Sequence, residues 1–106
     1  MDVIAERRLE FRAPNATLEV VVTLGRPVLD ASGENWMCRY EIWFGEECCS
    51  MDIHGIDSMQ ALQLSIATLD VELHHWARSH SGGFYHYDEP FVSMLDGGNL
   101  RVSTAA

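Results

Sequence analysis

The first half of the chain alternates between apolar and polar positions with a period of two. Leu9 and Phe11 alternate with charged neighbours, and the apolar positions after the turn signal "APNA" continue the pattern. This alternation is typical of half-buried β-strands. It predicts a hairpin whose strands run over about residues 5–12 and 17–25.

Two further alternating segments follow a loop that is rich in Gly, Pro, Asp and Asn. "WMCRYEIWF" places alternate apolar side chains on one face, and "CCSMDIH" does the same after a short "GEE" turn. These segments predict strands over about residues 35–45 and 48–54. Since short connections join antiparallel neighbours, we expect the four strands to form an antiparallel meander.

The period changes to that of a helix after Ile56. Asp57 is a favourable N-cap, and Gln60 stands three positions later as its capping-box partner. Apolar residues then recur every three or four positions, as on one face of a helix: Met59, Leu62, Ile66, Leu69, Leu73 and Trp76. This stripe predicts one helix over about residues 57–79, ended by the Gly pair that follows.

The wide apolar stripe has to be covered, and the inner face of the sheet is the large apolar surface available. The sequence therefore predicts an α+β fold in two layers, a four-stranded antiparallel β-meander with one long α-helix packed across one face. Residues 1–106 are expected to form a single domain. The aromatic segment 84–91 is expected to add an edge strand or a turn, and residues 97–106 to form a mobile tail.

The charge of the chain limits its possible partners. Seven basic residues, all of them Arg, stand against sixteen acidic ones, for a formal net charge of −9. Residues 40–106 carry two Arg and ten acids, so most of the negative charge lies there. Such a surface repels phosphate backbones and anionic lipids, so we expect neither nucleic acid nor membrane as a partner.

The compartment is expected to be the cytoplasm. The start "MDVIAERRLEF" lacks the basic and apolar regions of a signal peptide, and no apolar run approaches the roughly 20 residues of a membrane span. An odd number of cysteines, three, is typical of a reducing environment.

The register of the second hairpin is selected by burial, because a slip of one residue turns a whole strand over. Pairing Phe44 with Cys49 places every apolar residue on one side. Cys38 then lies far along the strand from Cys48 and Cys49, so the three thiols cannot share a metal ion or form a disulfide. We expect Cys38 and Cys49 to lie in the core.

The histidines near the predicted helix end do not define a metal site. His74 and His75 diverge by about 100° on a helix. Asp70 and His74 are suitably spaced, but no further ligand is fixed by the sequence. The imidazoles and Arg78 complement the negative end of the helix, so we expect no metal and no cofactor. Nucleophile and phosphate-binding motifs are missing, so no catalytic residue is assigned and an enzyme is the less favoured interpretation.

The outer face of the second hairpin is a candidate protein-interaction surface. In the expected register, a tryptophan is bordered by two facing carboxylates, which is typical of a surface that selects a basic partner. The residues assigned to this surface are Arg39, Glu41, Trp43, Asp52 and His54, with Arg39, Glu41 and Trp43 opposite His54, Asp52 and Ser50. Alternatively, the C-terminal aromatic segment covers Trp43.

Two classes of function follow. The leading prediction is a small acidic, non-enzymatic protein-interaction domain that binds a protein partner or a second copy as a homodimer, since a meander leaves two open edges. An immunity-like inhibitor of a basic toxin is one variant. The alternative is a small-molecule-binding domain or enzyme with a pocket between the helix end and residues 84–87, lined by His75, His80, Tyr85 and Tyr87.

Four stretches of the chain resemble a family of small bacterial proteins of unknown function. They are "AERRLEF" (5–11), "VTLGRPV" (22–28), "WMCRYEI" (36–42) and "GIDSMQALQLSIATL" (55–69), and they cover a little under half of the chain. The resemblance implies a small cytoplasmic domain. It implies no activity, cofactor or catalytic residue.

Overall fold

The alternating segments form one antiparallel sheet, and the helical segment packs on one of its faces. The computed structural model describes residues 1–95, which hold seven strands and one helix. The elements are β1 (Val3–Ala13), β2 (Ala16–Gly25), β3 (Val28–Leu29), β4 (Trp36–Phe44), β5 (Glu47–Gly55), α1 (Ser58–Ser79), β6 (Gly83–His86) and β7 (Glu89–Phe91). The predicted tail, residues 97–106, lies outside the described part of the chain.

The strands pair in the order β7, β6, β1, β2, β4 and β5, and the short β3 pairs with β4 beyond the end of β2. The predicted α+β class, the antiparallel sheet and the packed helix are confirmed. The predicted number of four strands is wrong. Two of the three additional strands arise because α1 carries the chain back across the sheet from β5, so that the aromatic segment pairs with β1 as the hairpin β6–β7. The third, β3, lies in the segment that the sequence predicts to be a loop.

The helix begins and ends with satisfied backbone groups. The Asp57 carboxylate accepts a hydrogen bond from the Gln60 amide at 2.7 Å, and the Gln60 side chain accepts one from the Ile56 amide at 2.8 Å. The arrangement is reciprocal, as in a capping box, except that the Gln60 side chain bonds the amide of the residue before the N-cap. At the other end, the His80 amide donates to the Trp76 carbonyl. Within residues 1–95, no helix combines the length and the apolar character needed to cross a bilayer.

The core lies between α1 and the inner face of the sheet, the face that α1 covers. Leu69 and Leu73 are buried as predicted, whereas Met59 is 63% exposed. The helix approaches the sheet closely through two small residues outside the predicted stripe, Ala61 and Ser65, both fully buried. The Ser65 hydroxyl donates to the Cys38 carbonyl at 2.8 Å. Small side chains at the contact therefore decide how α1 sits.

The second hairpin has a register that differs from the predicted one by two residues. Phe44 pairs with Glu47 and Ile42 pairs with Cys49, so the loop consists of Gly45 and Glu46 alone. The positive φ of Gly45, 60°, is favourable at the first position of a two-residue hairpin loop. An even shift keeps each side chain on its predicted face, but it changes every cross-strand neighbour.

The prediction for the cysteines is correct for one residue and wrong for another. Cys38 is fully buried, and its thiol lies 3.4 Å from the Gly25 carbonyl. Cys49 is exposed, although it lies on the inner face. It belongs to an edge strand, where a side chain has a neighbouring strand on one side only. All three cysteines are free thiols.

We predict that Leu69→Ala lowers the free energy of unfolding by about 3 kcal/mol, because it leaves a cavity under the helix. Leu64 of the same helix is 43% exposed and provides the matched control, since Leu64→Ala should cost less than about 0.5 kcal/mol. Urea denaturation of both variants checks this. Equal losses would contradict the placement of Leu69 in the core.

Tyr40 is fully buried, and its hydroxyl donates a hydrogen bond to a Glu72 carboxylate oxygen at 2.5 Å. Burial and the hydrogen bond to Glu72 raise the pKa of Tyr40 above its ordinary value of 10.0. The unfolded chain therefore loses this proton first, and the stabilisation falls as the pH rises above about 10. Tyr40→Phe should lose about 1–2 kcal/mol at pH 7. Between pH 9 and 11, its stability should decline less steeply than that of the original chain.

Candidate protein-interaction surface

The outer face of the sheet, the face opposite α1, carries the predicted interaction residues. The observed register pairs Arg39 with Asp52, Glu41 with Ser50, Trp43 with Cys48 and Met37 with His54. The predicted opposite pairs, Arg39 with His54, Glu41 with Asp52 and Trp43 with Ser50, are therefore wrong by the same two-residue shift. The observed register places an arginine rather than a glutamate opposite Asp52, which removes a repulsion between like charges.

Arg39 lies among polar groups from two strands. Its guanidinium is 3.3 Å from Asp52, 3.0 Å from the Ser50 hydroxyl and 3.7 Å from Glu41. Its side chain is 40% exposed. Exposed ion pairs contribute only about 0–1 kcal/mol to stability. Arg39 therefore holds the side chains of Asp52, Ser50 and Glu41 near one another but contributes little to the free energy of unfolding.

Trp43 is exposed on the outer face. It has 40% of its surface accessible, and the aromatic segment does not cover it. That segment pairs with β1, two strands away from β4, and its Phe84 pairs with the buried Phe11 of the inner face. A partly exposed indole is the kind of residue that anchors protein interfaces.

Among residues 1–95, the strand next to Trp43, β5, pairs with β4 alone and is therefore a free edge. It is nine residues long and pairs with β4 without a register shift. In a two-residue hairpin, the residues that flank the loop, here Phe44 and Glu47, form a hydrogen-bonded pair. Hydrogen-bonded and non-hydrogen-bonded pairs then alternate along the antiparallel ladder. The odd-numbered residues of β5 therefore bond to β4. The even-numbered residues direct their amide and carbonyl groups outward: Cys48, Ser50, Asp52 and His54.

His54 lies where the β5 edge meets the loop before β4. Its Nε2 atom is 4.0 Å from a carboxylate oxygen of Asp30. A hydrogen bond from the Ser32 hydroxyl lowers the pKa of Asp30. Asp30 is therefore a carboxylate at neutral pH, and it extends the acidic character of the outer face past the strand end.

The predicted pocket residues do not meet. His75 is exposed on α1, and His80 stacks on Trp76 with the ring centroids 3.8 Å apart. Tyr85 instead pairs with Glu10 on the outer face, where the Arg12 guanidinium lies 4.1 Å from its ring. Tyr87 is 89% exposed at the tip of the β6–β7 hairpin. Tyr85 and Tyr87 line a shallow cavity of about 250 Å³, on the opposite side of the sheet from His80.

The Asp70–His74 pair binds the end of the described chain. Asp70 is buried and accepts hydrogen bonds from the Met94 amide at 2.8 Å and the Ser93 hydroxyl at 3.2 Å. The Nε2 atom of His74 is 2.7 Å from the Val92 carbonyl. Across residues 1–95, no group of three or more His, Cys, Asp and Glu side chains is arranged to hold a metal ion.

Two residues of the outer face were missed by sequence reasoning. Glu6 of β1 and Thr23 of β2 pair with each other, and Thr23 also pairs with Glu41. Alternation assigns both to the polar side of their strands. Their proximity to Glu41 depends on β2 lying between β1 and β4, which local sequence does not report.

The comparisons with known proteins agree with this description of a domain whose function is not assigned. A family model, described as a domain of unknown function (DUF6968), matches residues 5–91. No curated protein and no solved structure matches the chain.

We predict an alternating pattern of hydrogen exchange along β5. The amides of Cys49, Met51 and Ile53 should exchange slowly, because they bond to β4, and the outward amides of the even-numbered residues should exchange quickly. Residue-resolved exchange by NMR at low protein concentration measures this. Uniform protection of β5 would show that its edge is already paired.

Proposed function

The chain belongs to the DUF6968 family of domains of unknown function, and we propose that it is a small non-enzymatic protein-interaction domain that binds an extended segment of a basic protein. The observation that carries this proposal is the free edge of β5, directly beside the exposed Trp43. An extended segment would add to the sheet as a further strand.

The edge of β5 has the features that strand addition requires. Proteins usually protect an edge strand with a bulge, a proline, a lysine or a covering element. β5 has no bulge against β4, and its sequence, "ECCSMDIHG", contains neither proline nor lysine. Main-chain hydrogen bonds from the outward groups would supply affinity, and side chains of the outer face would supply specificity.

Charge selects the class of partner. Glu41 and Asp52 lie beside the edge, and the chain as a whole carries a net charge of −9. Acidic surroundings favour a basic segment and accelerate its association. A second copy of the chain would bring the same negative charge to the interface, so a homodimer is the less favoured occupant. An immunity-like inhibitor of a basic toxin fits the same surface.

A small-molecule site built from His75, His80, Tyr85 and Tyr87 is less favoured, because these side chains lie on different sides of the sheet. Three free thiols support a reducing compartment such as the cytoplasm.

Binding by variants tests the proposal. Ser50→Pro removes an outward amide without removing a hydrogen bond to β4, and Trp43→Ala removes the indole. Each should abolish capture of the partner from native lysate while changing the melting temperature little. Ser50→Ala and Val71→Ala, the latter at an exposed position of α1, serve as controls that keep binding. Capture by the original chain should also weaken at high salt.

The same variants distinguish a basic partner from a second copy of the chain at the edge of β5. Retention of partner by Ser50→Pro would contradict strand addition, and a large loss of stability in Trp43→Ala would assign the indole to packing. A dimer in light scattering that Ser50→Pro dissociates would replace the basic partner by a second copy.

A further inference from the structure

The centre of the outer face holds a buried hydroxyl without a partner. Thr23 is only 9% exposed, and its Oγ1 atom makes no hydrogen bond among the described residues. Its register position between Glu6 and Glu41 places the side chain on the outer face, away from the apolar core. A buried polar atom without a partner is unfavourable for folding, so stability alone does not explain it.

Two carboxylates flank this hydroxyl. Neighbouring strands lie about 4.8 Å apart, so the Cα atoms of Glu6 and Glu41 are separated by roughly 10 Å, with Thr23 on the strand between them. The carboxylate of Glu6 is 3.4 Å from Arg8, and that of Glu41 is 3.7 Å from Arg39. Both contacts are long for charge-assisted hydrogen bonds, which leaves acceptor capacity on both carboxylates.

The two arginines are held more closely by other acids. Arg8 lies 2.7 Å from Glu19, and Arg39 lies 3.3 Å from Asp52. Four carboxylates therefore share two guanidinium groups in this part of the outer face. The excess negative charge is centred around Thr23, between strands β1 and β4.

We infer that this position binds an arginine side chain of the partner, with the guanidinium over Thr23 and between Glu6 and Glu41. The inference rests on the proposed function, since it names the residue that the partner presents. A planar guanidinium has five donors and can reach both carboxylates and the hydroxyl together, whereas a lysine ammonium is a compact point charge. Trp43 is a diagonal neighbour of Thr23, so its indole would be within reach of a cation–π contact with the same guanidinium.

NMR titration of the full chain with N-acetyl-arginine amide tests the inference. Saturable shifts are expected for the Thr23 and Glu41 amides and for the Trp43 indole. N-acetyl-lysine amide should bind at least about threefold more weakly, because it makes fewer hydrogen bonds, and the neutral N-acetyl-citrulline amide should cause no saturable shift.

Variants of the chain localise the site. Thr23→Val, Glu6→Gln and Glu41→Gln should each raise the Kd for the arginine amide about threefold to tenfold. Glu46→Gln, an exposed acid in the β4–β5 loop, is the matched control and should leave the Kd unchanged. Thr23→Val should also raise the melting temperature, because a methyl group replaces the unpaired hydroxyl. If Thr23→Val does not fold, the two Gln variants still decide the outcome.

The outcomes separate this inference from the proposed function. The free arginine amide does not need the edge of β5, so its shifts should persist in Ser50→Pro. Equal binding of arginine and lysine amides, or an equal effect of Glu46→Gln, would overturn the arginine site. Absence of the shifts while the original chain still captures its partner would overturn the site and leave strand addition standing.

Discussion

The close contact of α1 with β4 and β5 determines which surfaces of this protein are available. Ser65 and Ala61 bring the helix backbone against the sheet, and a Cβ on Gly55 would lie only 2.5 Å from the Ala61 nitrogen. Leu69 and Leu73 then fill the space beside this contact. Because one face of the sheet is occupied in this way, most polar side chains of β2 and β4 are directed to the other face. The outer face is therefore a consequence of helix packing.

The register of the second hairpin shows how a short loop controls a surface. Burial forbids a slip of one residue, but it does not distinguish registers that differ by two. The loop of Gly45 and Glu46 makes that choice, supported by a hydrogen bond from the Gly45 amide to the Glu19 carbonyl at 3.0 Å. Its result is that Arg39 faces Asp52. The cross-strand neighbours of Arg39 are thus set by a turn at the C-terminal end of β4, directly after Trp43 and Phe44.

The return of the chain across the sheet leaves the two edges different. On the β1 side, the hairpin β6–β7 pairs with part of the strand and ends the sheet with three residues, Glu89–Phe91. On the β5 side, a strand of nine residues directs the backbone groups of its even-numbered residues outward, next to an exposed indole and the carboxylates of Glu41 and Asp52. Outward backbone groups, an exposed indole and negative charge meet on the β5 side, which is why the proposed function is placed there.

The sequence by itself determined the type of each long element and the face to which its side chains belong. Period-two alternation, the Asp57 cap and the helical stripe are local properties, and so is the excess of acidic residues. Tertiary structure alone decided the strand order, the pairing of β6 with β1, the exposure of Cys49 and the position of Thr23 between Glu6 and Glu41. It also separated His80 from Tyr85, which lie on opposite sides of the sheet. The physical reason is that alternation reports which face a residue occupies, whereas its neighbours depend on pairing and packing energies summed over distant segments.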